Sequence, residues 1–170
     1  MTSPVVIREG REGDGSSVLR LWDEAIAWLV QRGQPGQWGT EPASTRSRSR
    51  EMVGGWETGT GLWIAEIDGE TVGACVIVGS APEYVPSNRL SETYLYFLIS
   101  DRTCAGMGVG SALVHAAADE ARAAGSEVLR VDCWAGAPSL VDWYTRQGFT
   151  ASDTFTVGEN WRGQLLEMVL

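Results

Sequence analysis

Residues 94–111, YLYFLISDRTCAGMGVGS, decide how this chain is read. The opening run, Tyr94–Ile99, is dense in strand formers. The rest carries three glycines at alternate positions, Gly106, Gly108 and Gly110, and leads into an Ala-rich stretch with helical spacing. Glycine has no Cβ, so its N–H groups can line a concavity that a ligand approaches closely. A helix start adds N–H groups with no intrahelical partner and the positive end of the helix dipole. Strand, glycine loop and helix start together make a seat for a phosphate or pyrophosphate. The anchor expected from the residues themselves is the backbone of Ala105, Gly106, Met107, Gly108, Val109 and Gly110, with the hydroxyl of Ser111. The bland reading is a glycine-rich turn that holds nothing.

One cofactor loop of this kind is the dinucleotide fingerprint, G-x-G-x-x-G directly after a strand, with an acid about twenty residues on. Asp132, at the end of VLRVD, stands near that distance. Three details oppose it. Counting from Gly106, the third glycine is replaced by Ser111; the residues DRTCA separate strand from glycines; and the loop lies past mid-chain, leaving little room for a second mononucleotide half. A nucleotide-dependent oxidoreductase is therefore the weakest of the functional alternatives.

The stretch resembles motif A of the GNAT superfamily of N-acetyltransferases, R/Q-x-x-G-x-G/A after a strand ending near L-x-V. Leu98, Ser100, Gly108 and Gly110 fall in register with it. Downstream, YTRQGF at Tyr144–Phe149 matches the family's Y-x-x-x-G-F, and EIDGETVGACVIV ahead of motif A matches its hairpin. The resemblance covers roughly residues 5 to 170. It implies a mixed, mostly antiparallel sheet with helices on both faces, of α/β (α+β) class. It also implies acetyl-CoA as co-substrate and direct transfer of its acetyl group to a primary amine of a small molecule or peptide. In the family, N–H groups at a bulge of the motif-A strand face the thioester oxygen. Here they fall on Leu98, Ile99 and Ser100, with pantetheine lying alongside as an added strand. Trp134 joins the cofactor-binding set. Tyr144 takes the place of a tyrosine near the cofactor sulfur; a phenol titrates near about 10 and can pass its proton to the departing thiolate. The competing task for Tyr144 is packing the last helix on the sheet.

Three positions depart from the family. Ala105 replaces the Arg or Gln that opens motif A, Tyr96 and Phe97 replace a late-strand carboxylate, and Ala137 replaces an Asn before the last helix. The general base is thus open. Glu92, at the start of the strand, is the nearest carboxylate; Tyr96 shares its face by even spacing and could relay a proton through water. Its competing task is that of a solvated strand-edge residue. Asp132 is a further candidate, set against local backbone bonding. Glu159, near Trp161, could line an acceptor site. Trp28, Trp38, Tyr84 and Trp161 are aromatics in segments that could frame the acceptor, a ring face being a good neighbour for a cationic amine. Most of the eight tryptophans, Trp143 included, are expected in the core. A non-catalytic acyl-CoA-binding or regulatory module of the same fold is the second functional class.

Composition bounds the rest. A chain of 170 residues suits one domain, 1–170. Hydrophobic content of 44% with 21% charged residues is that of a soluble globular chain. No apolar run approaches the roughly 20 residues of a membrane span, and MTSPVVIREGREGDG lacks the build of a signal peptide. Three dispersed cysteines, Cys75, Cys104 and Cys133, suit reduced thiols in a cytoplasm. The net charge of −9 argues against nucleic-acid binding, and a membrane partner is not expected. All basic residues are Arg, which points to a GC-rich bacterial genome. A homodimer is compatible with the sequence. No His/Cys/Asp cluster has metal-ligand spacing. His115 is expected on the surface with Asp119 one helical turn on. Cys133 is expected to be an inert strand thiol.

The expected order is β-α-α-β-β-β-α-β-α-β-β. It places strands at Val5–Arg8, Leu62–Ile67, Thr71–Val78, Thr93–Ser100, Val128–Cys133, Thr150–Val157 and Leu165–Val169. Helices are expected at Ser16–Arg32, Ser44–Glu57, Gly108–Ala124 and Ser139–Gln147. Asp14, Ser16 or Ser17 could cap the first helix. In the third, Val109, Ala112, Leu113 and Ala116 are expected to face inward. Asp68-Gly69 predicts a tight hairpin.

Overall fold

The structure is a computed structural model describing residues 2–170. Its elements are β1 (Val6–Glu9), α1 (Gly15–Gln31), α2 (Ser47–Thr58), β2 (Leu62–Ile67), β3 (Glu70–Val78), β4 (Glu92–Ser100), α3 (Val109–Ala123), β5 (Val128–Trp134), α4 (Pro138–Arg146), β6 (Thr150–Val157) and β7 (Trp161–Val169). The seven strands form one mixed, mostly antiparallel sheet in the order β1-β2-β3-β4-β5-β7-β6. The β4–β5 pair is parallel, from Glu92↔Val128 to Leu95↔Val131. Two compact units share the chain: Met1–Val76 with Phe97–His115, and Ile77–Tyr96 with Ala116–Leu170. Both β3 and β4 pass from one unit into the other.

In the first unit, α1 buries Val18, Leu21, Trp22, Ala25 and Ile26, the stripe its 3.6-residue period lays on one face. Trp22 meets Phe97 at 4.9 Å between ring centroids, Trp56 meets the same ring at 4.9 Å and Trp38 at 6.0 Å. Aromatic pairs of this kind are worth about 0.5–1.5 kcal/mol each beyond the area they bury. Phe97 is thus core, and Trp38 lies half-buried against it. The Asp68-Gly69 turn joins Ile67 to Glu70 with both residues at positive φ, 51° and 80°, the geometry of a two-residue hairpin. A Cβ on Gly73 would lie 2.7 Å from Val109 Cγ1 and 3.0 Å from the Ile99 carbonyl. The bare strand at Gly73 lets the start of α3 come this close.

Asp14 begins α1 without capping it. Its carboxylate takes two hydrogen bonds from Arg8, at 2.9 and 2.8 Å, and one from the Arg11 N–H at 2.8 Å. Arg8 also reaches Glu66 at 2.7 Å. Side-chain ion pairing has replaced the expected cap.

The second unit holds β5, β6, β7 and α4, with Tyr94, Val85, Phe155 and Leu165 forming a core that Tyr96, Val157 and Trp161 flank. Strand β7 begins at Trp161, earlier than the expected Leu165. Arg162, Gly163 and Gln164 have weak strand character, but pairing with β5 on one side and β6 on the other imposes it. On α3 the buried stripe is Val109, Leu113, Val114, Ala117, Ala118 and Ala121. Ala112 and Ala116 are only half-buried, because the helix turns Val114 and Ala118 inward instead. His115 is exposed, and Asp119 pairs with Arg122 rather than with it. The helix expected over Ser44–Glu57 is split: a single 3-10 turn, Ala43–Thr45, precedes α2, and Arg46 between them is extended.

Candidate active site

Strand β4 ends at Ser100, and the Asp101 N–H donates to the Val72 carbonyl at 2.7 Å. Asp101 then caps a short turn by accepting from the Thr103 N–H at 2.8 Å. Gly106 and Gly108 both have positive φ, 82° and 81°, and an added Cβ at either would meet nothing within 4 Å. The backbone there is open. The first bond of α3 runs from the Ala112 N–H to the Gly108 carbonyl at 2.9 Å. Helix geometry therefore turns the N–H groups of Val109, Gly110 and Ser111 out of the helix start. Ala105, Gly106, Met107 and Gly108 are exposed, Gly110 and Ser111 half-exposed, and Val109 is buried by its side chain. A row of outward N–H groups at a helix start fits a pyrophosphate.

Leu98 and Ser100 are half-exposed on β4 and Ile99 is buried. Just past them, Arg102 stacks on the Trp28 ring at 3.9 Å from its centroid, and Arg32 lies over the same ring at 4.2 Å. Burial and the charge of Arg32 hold the Arg102 guanidinium below its usual range. Trp28, expected as an acceptor aromatic, is thus the platform for two cations close to the glycine loop. Neither arginine stood out in the sequence; only the fold brings α1 to the loop.

In the second unit, the parallel β4–β5 pairing ends at Leu95↔Val131. The next residues on the two strands are Tyr96 and Asp132. The Tyr94 hydroxyl donates a hydrogen bond to Asp132 Oδ2. Burial pushes the Asp132 carboxyl above the ordinary range, while the Tyr94 bond pulls the other way. Tyr94 is raised too, by its own burial and then by the Asp132 charge, so it stays a neutral donor. Sequence reading had Asp132 as a minor candidate and missed Tyr94. The parallel pairing, which no local pattern shows, is what brings them together.

Glu92 is not a solvated edge residue. Its Oε2 lies 2.7 Å from Arg130 Nη1 and its Oε1 accepts from the Ala81 N–H at 3.1 Å. Tyr144 lies on α4, 5% exposed, edge-on to Phe149 with centroids 5.6 Å apart. Ala137 stands at the N-cap of α4 and supplies no side-chain cap. Trp134 ends β5, half-exposed, and its ring covers Gly136, where a Cβ would come within 2.3 Å of it. Tyr84 stacks on Phe155 at 6.2 Å, and Phe155 meets Trp161 at 6.0 Å. Glu159 lies exposed at the tip of the β6–β7 hairpin. Among the described residues, no group of three or more His, Cys, Asp or Glu side chains could hold a metal ion. Among them too, no helix is long and apolar enough to cross a membrane.

Comparison with known proteins finds the same fold in solved structures. The structure is similar to a GCN5-related N-acetyltransferase from Rhodopseudomonas palustris, with a TM-score of 0.73, 18% identity and coverage of 100% of this chain and 98% of that one. It is similar to the ribosomal-protein-alanine N-acetyltransferase of Brucella melitensis, with a TM-score of 0.69, 19% identity and coverage of 97% and 99%. It also resembles yncA of Salmonella typhimurium, solved with its cofactor acetyl-CoA, with a TM-score of 0.68, 16% identity and coverage of 98% and 94%. At such identities these likenesses speak for the fold. No curated protein sequence matches the chain. The sequence model of the acetyltransferase (GNAT) family matches residues 24–149, most of the chain. With that match, on a sheet of this order and a glycine loop of this shape, the chain belongs to the acetyltransferase (GNAT) family.

Proposed function

We propose that the protein is an acetyl-CoA-dependent N-acetyltransferase that moves the acetyl group directly to a primary amine of a small molecule or peptide. The observation that carries this reading is the open backbone at Gly106 and Gly108, leading into the outward N–H groups at the start of α3. Ala105 brings no charge to this loop, so the backbone would hold the pyrophosphate with the Ser111 hydroxyl. When bound, the cofactor supplies an activated acetyl thioester. Leu98, Ile99 and Ser100 would offer backbone N–H to its carbonyl oxygen, where charge develops during attack. Tyr144 would hold the proton that the leaving sulfur needs. The acetyl-CoA named for the Salmonella structure and the alanine amine named for the Brucella enzyme support the same chemistry. The three free thiols, Cys75, Cys104 and Cys133, favour a cytoplasmic setting.

The second reading, a non-catalytic acyl-CoA-binding module, is favoured by one observation. The carboxylate expected as base, Glu92, is taken up by Arg130. Release of free thiol from acetyl-CoA with a panel of primary amines separates the two readings, since only an enzyme releases it. The cofactor seat is tested by Gly108→Val. With φ at 81°, a β-branched residue there is strained and its side chain fills the approach. The variant is expected to lose the thermal stabilisation that acetyl-CoA gives the parent. Equal stabilisation of parent and variant would place the cofactor elsewhere, and stronger stabilisation by NAD than by acetyl-CoA would overturn the reading.

A further inference from the structure

We propose that Asp132 is the base that takes the proton from the acceptor's ammonium group, and that the rings of Tyr84, Tyr96, Phe155 and Trp161 select an amine carried on an apolar, aromatic body. This rests on the N-acetyltransferase reading and adds to it the acceptor class and the base.

The argument starts from charge. Within the second unit, Glu92 is neutralised by Arg130, Glu127 accepts from the Ser91 N–H and hydroxyl, and Glu159 is exposed to water. Asp132 differs from all three. Its hydrogen-bond partner is the neutral Tyr94 hydroxyl, on Oδ2, and no arginine pairs with it among the described residues. Its neighbour across the β5–β7 ladder is Leu165, which has nothing to offer a charge. A half-buried carboxylate with a neutral partner lacks the counter-charge that burial normally demands. An incoming ammonium supplies it.

The surroundings suit the same ligand. Tyr94 and Phe155 belong to one core cluster, with Tyr96 and Trp161 half-buried against it. Tyr84 stacks on Phe155 and is nonetheless 47% exposed, a large ring at the lip of the cluster. Ring faces attract a cation, and their area favours an apolar body behind it. Burial raises the Asp132 carboxyl above the ordinary carboxylate range, which makes it a stronger base. The titratable groups beside it are Tyr94 on β4, bonded to it, and Cys133, next in the chain; Tyr84 and Arg130 act in turn on Tyr94.

The step balances as follows. R–NH3+ gives one proton to the Asp132 carboxylate, leaving R–NH2 and a carboxylic acid. The nitrogen lone pair then attacks the thioester carbon, forming C–N while C–S breaks and the electron pair leaves on sulfur. The second nitrogen proton goes to that thiolate, through Tyr144 or water, and Asp132 returns its proton to solvent. The products are the amide, CoA thiol and one proton. Tyr94 acts through Asp132 and is a positioning residue.

The test compares phenethylamine with ethylamine as acceptors, using thiol release and thermal shift. The parent is expected to favour phenethylamine in kcat/KM by about tenfold or more, roughly what burying a few apolar carbons gives. Asp132→Asn is expected to lower kcat/KM by about 10²- to 10⁴-fold. It should also erase the acid limb of the pH profile and keep the stabilisation by acetyl-CoA. Tyr94→Phe removes a bond that holds the carboxyl down, so the acid limb should move to higher pH. A full-rate Asp132→Asn enzyme, an acid limb unmoved in Tyr94→Phe, or equal use of both amines would overturn the inference. Absence of acetyl-CoA stabilisation in the parent would instead overturn the reading beneath it.

Discussion

Glu92 and Arg130 form a buried ion pair across the parallel β4–β5 strands, at 2.7 Å with the arginine side chain 3% exposed. Arg130 also donates to the Pro86 carbonyl at 2.7 Å, tying the β3–β4 loop to the sheet. Removing one partner of such a pair strands the other charge, at a cost of about 3–5 kcal/mol. Glu92→Ala is therefore expected to lose stability on that scale in chemical denaturation, and Glu92→Gln, which keeps hydrogen-bonding atoms in place, to lose less. The turnover of folded Glu92→Gln should stay within about threefold of the parent, since uncatalysed proton loss would otherwise cost far more. A deep loss of kcat at parental stability would return Glu92 to the role of base that its place in the sequence suggested.

Periodicity and turn chemistry made most of the fold legible. The Asp68-Gly69 hairpin and the glycine loop at Gly106–Gly110 are local patterns, and local patterns survive into the structure. The strand at Arg162–Gln164 was not legible, because its pairing partners lie far away in sequence. The same limit governs the site. The open glycine backbone ahead of α3 is built from adjacent residues and shows in the sequence. The Tyr94–Asp132 bond, the Glu92–Arg130 pair and the Arg102–Trp28–Arg32 stack each need a partner that only the sheet or α1 delivers.

The Arg8–Asp14–Glu66 network should show in acid unfolding. Arg8, bonding directly to the carboxylate, holds Asp14 below the ordinary range. A depressed carboxylate contributes stability that is full above its unfolded value, about 4. That stability is lost as pH falls through the lower folded value. Asp14→Asn should therefore be less stable than the parent at pH 7, with the two converging below about pH 4. Denaturation midpoints across pH 2–7 measure this. A constant gap down to pH 2 would mean that the ion pair is not the source of the difference.

The three thiols should differ in reactivity. Cys75 and Cys133 are buried, and burial raises each thiol to about 12. At pH 8 only about one in ten thousand of such thiols is ionised, and the thiolate is the reactive form. Cys104 is half-exposed and directly precedes the glycine loop. Mass spectrometry after mild alkylation should find Cys104 modified and the other two intact until the chain unfolds. Acetyl-CoA should slow the modification of Cys104 by covering the loop. Rapid labelling of Cys133 in the folded protein would mean that it is not the inert strand thiol its burial implies.

Tyr144 is the remaining residue whose role divides packing from chemistry. It is buried on α4 between Trp143, at 5.0 Å and 76°, and Phe149, at 5.6 Å and 87°. Both contacts are made by the ring, and Tyr144→Phe preserves the ring. What the substitution deletes is one hydroxyl, worth about 1–2 kcal/mol of stability if its hydrogen bond is buried. A proton donor to the leaving thiolate is worth more to the rate, about 10²- to 10⁴-fold. The two roles therefore separate on two axes. Steady-state kinetics with a working amine should show kcat reduced within that range, with acetyl-CoA affinity nearly unchanged. A melting curve should show only a small shift. A loss that arises in protonation of the leaving group should be smaller for an acyl donor with a more acidic thiol than for acetyl-CoA. Equal losses for both donors would point to distorted geometry, and a full-rate enzyme would leave Tyr144 as a packing residue with water protonating the sulfur.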